Sequence, residues 1–225
     1  MVRRDARHRT YSQVWNFPPR LESAQDYGRR HLDGFAPDQF DLNPHEGRFA
    51  TADPDGPNIA FIHVLPGTIR YRFHYGDRES LKGWFAPGLG SLCAAPDVHA
   101  EWESADSDRL VTLLLPRPRG GADPLAAVAR CTGPDWFGFD ADVVAGGTLA
   151  YRTANAPTTL EIGPVAAVAA TLLVRRQDDA LSGLATSAAA LSIAGQTVAL
   201  PESCVAFVHR DGHTDVTAIP LQRSP

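Results

Sequence analysis

Residues 87–99 read P-G-L-G-S-L-C-A-A-P-D-V-H and decide the fold. A Pro-Gly pair opens the stretch, a short apolar run around Leu92 follows, and a second turn at Pro96 and Asp97 precedes His99. Gly and Pro interrupt regular structure, and short apolar runs between such breaks are typical of β-strands. The stretch therefore predicts one short strand, a tight turn and a second strand that begins near His99.

The same pattern extends over residues 39–116, where short runs of alternating apolar and polar residues end at Pro or Gly. Alternation with a period of two indicates a half-buried strand. The alternation predicts strands at residues 58–65, 68–74, 81–85, 91–94, 99–103 and 110–115. We therefore expect the first half of the chain to be all-β.

The spacing within residues 87–99 resembles the second barrel motif of the cupins, a family of small double-stranded β-helices, or jelly rolls. Three flanking segments resemble the sensor barrel of arabinose-type (AraC-type) transcription regulators: N-I-A-F-I-H-V-L-P-G-T-I at 58–69, G-W-F-A-P-G at 83–88 and R-L-V-T-L-L-L-P at 109–116. The resemblance covers about a quarter of the 225 residues. It implies a cupin barrel with a pocket for a small molecule. Those regulators continue into a helix-turn-helix domain, whereas this chain continues into an apolar, β-rich second half.

The second half repeats the order of the first. Residues 189–208 follow the order strand, Gly turn, strand, Pro-led turn and strand, with Pro201 in the place of Pro87. The repeat predicts a bicupin. The Pro- and Gly-rich stretch P-R-P-R-G-G at 116–121 predicts a boundary between the two halves. The expected parts are an N-terminal arm with a short helix at 1–38, a first cupin barrel at 39–118, a linker with a helix at 119–147 and a second cupin-like barrel at 148–225.

Local signals in the second half are of two kinds. The Asp211-Gly212 pair predicts a tight hairpin turn, because both positions need a positive φ. Residues 164–176 are ambiguous, since the family order favours a strand and the Ala-rich composition fits a helix.

Two segments carry helix signals. Asp123 as an N-cap, Pro124 in the first turn and a terminal Gly-Pro bracket an Ala-rich run at 123–134, which predicts the clearest helix of the chain. In the arm, Trp15 and Phe17 indicate an extended strip laid on a barrel. A short helix should follow the strip, since Ser23 and Asp26 have capping-box spacing.

Composition limits the partners. The 21 Lys and Arg residues against 26 Asp and Glu residues give a net charge of −5, which does not favour nucleic-acid or anionic-membrane binding. We therefore expect no nucleic-acid and no membrane partner. The arginines within the first nine residues then form a solvated tail, with a docking arm as the alternative.

Cysteine usage and apolar content bear on compartment and assembly. Cys93, Cys131 and Cys204 are scattered and lack a metal-type spacing, which favours a reducing cytoplasm over a disulfide framework. No segment approaches the length of a membrane span. We expect a cytoplasmic protein, and the apolar second half favours a homodimer.

The family resemblance also bears on metal binding. Metal-dependent cupins hold their ion with two His one residue apart, a Glu shortly after and a third His from the second motif. Here His74 stands alone, Glu79 follows five residues later, and only His99 matches its expected place. We therefore expect no metal and no other cofactor, with a site of His74, Glu79 and His99 as the alternative.

Strand alternation assigns the candidate catalytic residues. His99 and Glu101 share one face of their strand, and Ala100 and Trp102 share the other. The cupin motif implies that His99 points into the barrel, where a paired imidazole and carboxylate could transfer protons. His99 and Glu101 are thus the catalytic candidates, and a His at a barrel mouth beside exposed glutamates is the alternative.

A further set of polar and aromatic side chains could line the pocket and bind substrate: His63, Tyr71, Phe73, Trp84 and Trp102. For these residues ordinary core packing is the alternative, and His63 on an apolar strand face would then be a hydrogen-bonded core histidine. If Tyr71 and Phe73 point inward, alternation turns His74 outward.

Two functions remain open. The first is a metal-independent bicupin enzyme of the isomerase, cyclase or lyase type, which acts on a small, partly apolar metabolite by proton transfer. The second is a sensor-like cupin that binds a small molecule without catalysis or DNA binding. Phosphate-binding loops, dinucleotide motifs and nucleophile elbows do not occur in the sequence.

Overall fold

The computed structural model describes residues 9–18, 35–65, 67–88, 91–104 and 110–220. All regular secondary structure within these ranges is β-strand, so the expected all-β class is confirmed. The strands are β1 (Arg9–Asn16), β2 (Phe40–Asn43), β3 (Arg48–Thr51), β4 (Asn58–Val64), β5 (Ile69–Tyr75), β6 (Trp84–Gly88), β7 (Ser91–Ala94), β8 (Pro96–Ser104), β9 (Val111–Arg117), β10 (Leu125–Thr132), β11 (Trp136–Val143), β12 (Thr148–Ile162), β13 (Val165–Gln177), β14 (Ala180–Thr186), β15 (Ala190–Ile193), β16 (Gln196–Val198), β17 (Val205–Arg210) and β18 (His213–Ala218). In the same ranges no helix is long and apolar enough to cross a membrane.

The chain divides into two compact units, residues 1–123 and 124–225. The first unit contains β1 to β9 and the second contains β10 to β18. The division falls close to the Pro- and Gly-rich stretch at 116–121 that the sequence predicts as a boundary. The bicupin arrangement of two barrels stays a prediction.

Unit 1 is built from two antiparallel sheets and a hairpin. One sheet has the order β1-β8-β5, the other has the order β2-β3-β4-β9, and β6 pairs with β7. Aromatic side chains from both sheets pack together, and the rings of Phe49 on β3 and Phe61 on β4 stack at 4.3 Å. The buried cluster also includes Val98 of β8, so the two sheets face each other across an aromatic core.

The N-terminal arm belongs to the first sheet. β1 runs antiparallel to β8 from Arg9 opposite Ser104 to Asn16 opposite Asp97. Trp15 packs against the aromatic core, as expected for an extended strip. The short helix predicted from Ser23 and Asp26 lies outside the described residues.

Unit 2 contains one antiparallel sheet of nine strands. Its main path runs β10-β11-β12-β13-β14-β17-β18, and β15 and β16 extend from β13. The ambiguous segment at 164–176 is strand, because β13 buries Val165, Ala167 and Ala169 in alternation and pairs with β12 along its length. The predicted hairpin is confirmed, since Asp211 and Gly212 have φ values of 53° and 76° between β17 and β18.

The helix predicted from Asp123 to the Gly-Pro pair at 133–134 is wrong. These residues form β10, which pairs with β11 from Leu125 opposite Val143 to Thr132 opposite Phe137. A helix this short has little stability of its own, so pairing with a neighbour decides the outcome. The predicted cap has another role, because Asp123 binds the guanidinium groups of Arg48 at 2.8 Å and Arg117 at 3.2 Å.

Candidate functional site

The polar face of the β1-β8-β5 sheet carries the candidate site. Asp97, His99 and Glu101 share one face of β8, while the alternate residues from Val98 to Trp102 pack into apolar clusters on the other. Across the strand pair, His74 lies opposite Asp97 and Arg72 lies opposite His99. The candidate residues are therefore on the face opposite the aromatic core.

Two histidines and one aspartate meet on this face. The His74 and His99 rings lie 4.9 Å apart, and His99 Nε2 is 3.4 Å from Asp97 Oδ1. One potential ligand atom from each of the three side chains lies within 4.8 Å of the others. Asp97 and His99 are buried and His74 is partly buried. We refer to His74, Asp97 and His99 as the histidine–aspartate cluster.

Gly83 holds the carboxylate of this cluster in place. Its backbone N–H donates to Asp97 Oδ2 at 2.7 Å, and its carbonyl oxygen accepts from the N–H groups of Gly76 at 2.7 Å and Ala95 at 2.9 Å. The φ of Gly83 is 71°, and a Cβ there would lie 2.6 Å from the backbone nitrogen of Tyr75. Only glycine fits this position without displacing the backbone.

The segment between β5 and β6 supports His74. Asp77 accepts hydrogen bonds from the N–H of Glu79 at 2.9 Å and from the Ser80 hydroxyl, and its Oδ2 is 3.5 Å from His74 Nδ1. The hydrogen bonds from Ser80 and then Glu79 lower the pKa of Asp77, so this side chain stays a carboxylate. The segment therefore presents a negative group to the outer nitrogen of His74.

Two inward atoms of the cluster have no hydrogen-bond partner among the described residues, namely His74 Nε2 and Asp97 Oδ1. Burial lowers the pKa of His99, the Asp97 charge opposes this shift, and the Lys82 charge adds to it. His99 is therefore neutral near pH 7 and keeps a nitrogen lone pair. The cluster offers acceptor atoms that the fold itself does not use.

The residues predicted as catalytic or metal-binding separate in the structure. His99 is buried beside Asp97, whereas Glu101 pairs with Arg72 at 2.9 Å. Glu79 is exposed, is not among the three clustered ligands, and contacts Asp77 through its backbone. Sequence reasoning missed Asp97 because it assigned that residue to a turn, although it lies two residues before His99 and shares its strand face.

Three of the predicted pocket residues lie in the aromatic core. His63 is fully buried, its Nδ1 is 2.8 Å from the Tyr71 hydroxyl, and its Nε2 is 3.2 Å from Gln13 Oε1. Since the amide oxygen can only accept, Nε2 carries the proton and Nδ1 accepts from Tyr71. Phe73 packs against Phe40 at 5.2 Å. His63 is thus a hydrogen-bonded core histidine, the alternative that the sequence left open.

The two predicted pocket tryptophans have different surroundings. Trp102 is buried in a second apolar cluster and stacks on Tyr11 at 5.6 Å. Trp84 is partly buried in β6, and its Nε1 donates to the carbonyl oxygen of Asp77 at 3.0 Å. Trp84 therefore supports the segment beside His74, and Trp102 supports the core.

Unit 2 contains a cavity of about 340 Å³. Its wall combines apolar residues such as Leu149, Val174 and Leu181 with the charged residues Asp140 and Arg176. Asp140 accepts two hydrogen bonds from the Arg152 guanidinium, at 2.8 and 3.0 Å. Both oxygens of this carboxylate accept hydrogen bonds, whereas Asp97 Oδ1 has no hydrogen bond among the described residues.

Fold and site together define an all-β protein with a buried histidine–aspartate cluster on one sheet face of unit 1. No protein-family model matches the chain, and no curated protein matches it in sequence.

Proposed function

We propose that this protein is an enzyme that acts on a small, partly apolar metabolite by proton transfer at the histidine–aspartate cluster. Isomerases, cyclases and lyases share this chemistry. The observation that carries the proposal is that two buried atoms of the cluster, His74 Nε2 and Asp97 Oδ1, have no hydrogen bond among the described residues, and His99 Nε2 lies 3.4 Å from the carboxylate oxygen. Buried polar atoms are normally hydrogen-bonded, and each one left without a partner costs about 1–3 kcal/mol. A fold that keeps two such atoms together favours a ligand that binds them.

The charges around the cluster support a substrate that carries an anionic group. Lys82 is close enough to lower the pKa of His99, and Arg72, opposite His99, has a side chain 61% exposed. A carboxylate on the substrate would be attracted by the Lys82 ammonium, whereas the Arg72 guanidinium is already paired with Glu101.

Leu81 supports the apolar part of the substrate. It precedes Lys82, is 79% exposed and has a φ of 57°. A bulky side chain rarely adopts this conformation, and such outliers concentrate at functional sites. Leu81 lies two residues before Gly83, whose N–H holds the Asp97 carboxylate, and its exposed side chain is a suitable contact for an apolar group.

The cluster assigns roles that differ from those inferred from the sequence. Asp97 takes the place of Glu101 as the carboxylate beside His99, since Glu101 neutralises Arg72. His74, the most exposed member, would meet the substrate first. Asp97 and His99 would contact the reacting group more deeply.

Deuterium exchange tests the proposed reaction. The protein is incubated in D₂O with a metabolite mixture, and mass spectrometry records which molecules are retained and which gain deuterium at carbon. Wild type should label at least one molecule, and His99→Ala and Asp97→Asn should reduce labelling by about 100-fold or more. His213→Ala is the matched control, because His213 is exposed in the β17–β18 hairpin.

Two outcomes contradict the enzyme proposal. If His99→Ala labels the molecule as fast as wild type, the histidine–aspartate cluster does not carry out the proton transfer. A molecule that wild type retains without any label would instead favour the sensor-like binding protein.

A further inference from the structure

We propose that the histidine–aspartate cluster is a binding site for a divalent first-row transition-metal ion. This inference goes beyond the proposed function, since it concerns three side chains and would also hold for a protein without catalysis. It replaces the metal-free expectation drawn from the sequence and its alternative of His74, Glu79 and His99.

The spacing of the inner atoms suits a shared ion. His99 Nε2 and Asp97 Oδ1 lie 3.4 Å apart, which is longer than an ordinary hydrogen bond. Two ligands of one tetrahedral ion, each about 2.0–2.1 Å from it, are separated by about 3.3 Å. The contact therefore matches two ligands of one ion better than it matches a hydrogen bond.

His74 supplies the third ligand from the outer side. The three ligand atoms lie within 4.8 Å of one another, so a small rotation of one ring closes the set around an ion. The His74 side chain is 15% exposed and lies near the end of β5, with its ring 4.9 Å from that of His99. Its Nε2 has no hydrogen bond within the part of the chain that the structure describes.

The outer contacts of the cluster are those of a supported metal site. Asp97 uses Oδ2 to accept from the Gly83 N–H at 2.7 Å, which leaves Oδ1 for an ion. His74 Nδ1 faces Asp77 Oδ2 at 3.5 Å, which leaves Nε2 for an ion. A carboxylate behind a ligating imidazole is the usual support in metal proteins, because it fixes the ring and increases its basicity.

The donor set selects the class of ion. Two imidazole nitrogens and one carboxylate oxygen suit zinc, iron, cobalt or manganese, whereas calcium and magnesium prefer oxygen ligands alone. Three protein ligands leave at least one coordination position open for water or for a substrate oxygen. The nearby Lys82 charge opposes a cation, so its removal should strengthen binding.

Metal titration of the full chain tests the inference. Protein freed of metal with EDTA is titrated with Co²⁺ by visible absorption and with Zn²⁺ by calorimetry. We expect one ion per chain and visible bands of nitrogen-ligated Co²⁺. His74→Ala, Asp97→Asn and His99→Ala should each weaken binding at least tenfold, and His213→Ala should leave it unchanged.

Two variants outside the ligand set distinguish specific metal binding at the cluster from adventitious binding elsewhere on the protein. Lys82→Ala should tighten Zn²⁺ binding several-fold and Asp77→Asn should weaken it, because they remove opposite charges near the ion. If circular dichroism shows that Asp97→Asn does not fold, the Zn²⁺ affinity of His74→Ala is the deciding measurement. His74 is the most exposed of the three ligands, so its loss should disturb folding least. Binding that all three ligand variants leave unchanged, or no stoichiometric binding, overturns the inference.

The same samples distinguish this inference from the proposed function. Stoichiometric Zn²⁺ without deuterium labelling of any molecule contradicts the enzyme and leaves the metal site intact. Labelling by protein that binds neither ion overturns the metal site and leaves the enzyme intact.

Discussion

Gly83 joins backbone conformation to the geometry of the site. It combines a φ of 71° with a Cβ position 2.6 Å from the nitrogen of Tyr75. We predict that Gly83→Ala lowers the free energy of unfolding by at least about 2 kcal/mol, because it adds a steric clash to the penalty for a left-handed alanine. Urea unfolding followed by tryptophan fluorescence measures the change.

Gly120 provides a matched control for Gly83 in the same unit. Its φ is 64°, but no atom of the described residues lies within 4 Å of the position that an added Cβ would take. Gly120→Ala should therefore lose only the conformational part, about 1 kcal/mol. Equal decreases in the free energy of unfolding for Gly83→Ala and Gly120→Ala would show that the approach of the Gly83 Cβ position to the Tyr75 nitrogen does not affect stability.

Cys131 is the cysteine whose chemistry the structure changes most clearly. Burial raises the pKa of its thiol, and the Arg152 charge only partly offsets this effect. Because the thiolate is the reactive form, we predict that iodoacetamide at pH 8 labels Cys131 more slowly in the folded protein than in guanidinium. Site-resolved mass spectrometry gives both rates, and equal rates would contradict the prediction.

At this scale the sequence predicted that His99 and Trp102 lie on opposite strand faces, but it did not predict the side chains beside His99. Strand parity correctly separated His99 from Trp102 and turned His74 away from the aromatic core. Asp97 was missed because its role depends on the Gly83 N–H, fourteen residues earlier in the chain. Alternation says which residues share a face, but not which long-range hydrogen bond fixes a carboxylate.

β10 shows how pairing overrides local preference. Ala129 lies opposite Asp140 on this strand and is exposed. We predict that Ala129→Thr leaves the free energy of unfolding unchanged or raises it by a few tenths of a kcal/mol, since β-branched residues favour strands. Urea unfolding is again the measurement.

The sign of the change in the free energy of unfolding distinguishes a strand from a helix at residues 125–132. In a helix the same substitution would lower stability by about 0.6 kcal/mol. A clear loss in Ala129→Thr with unchanged circular dichroism would therefore speak against the strand.

The elements of unit 1 were more predictable than β10. Period-two alternation with Pro and Gly breaks marked strands from β4 to β9, and the structure contains them with small shifts of their ends. The Ala-rich β10 has no alternation, so the capping signals at Asp123 were the only local guide. Those signals were misleading because Asp123 binds Arg48 and Arg117.

The charge of the whole chain predicts weak affinity for polyanions. A net charge of −5 repels them, so we expect elution from a heparin column below physiological salt. A variant without residues 1–8, which include three arginines, should behave in the same way. If the heparin column retains the full chain but not the variant that lacks residues 1–8, the N-terminal arginines act as a docking arm.

The large-scale organisation could be predicted only in part. The repeated strand order and the Pro- and Gly-rich stretch at 116–121 indicated two β-rich halves, and the chain divides close by. The sequence did not predict that unit 1 places His99, together with His74, on the sheet face opposite the aromatic core. Alternation is symmetric between faces, so the face that is covered depends on which strands pack above it.

In unit 1 the residues of the aromatic core and those of the histidine–aspartate cluster therefore lie on opposite sides of the same sheet. A designer could exchange the residues around the cluster without repacking the phenylalanine rings beneath. Arg72 lies directly opposite His99, so a histidine introduced at that position would bring a third imidazole to the cluster. This face of the sheet can accordingly be redesigned while the aromatic core keeps its packing.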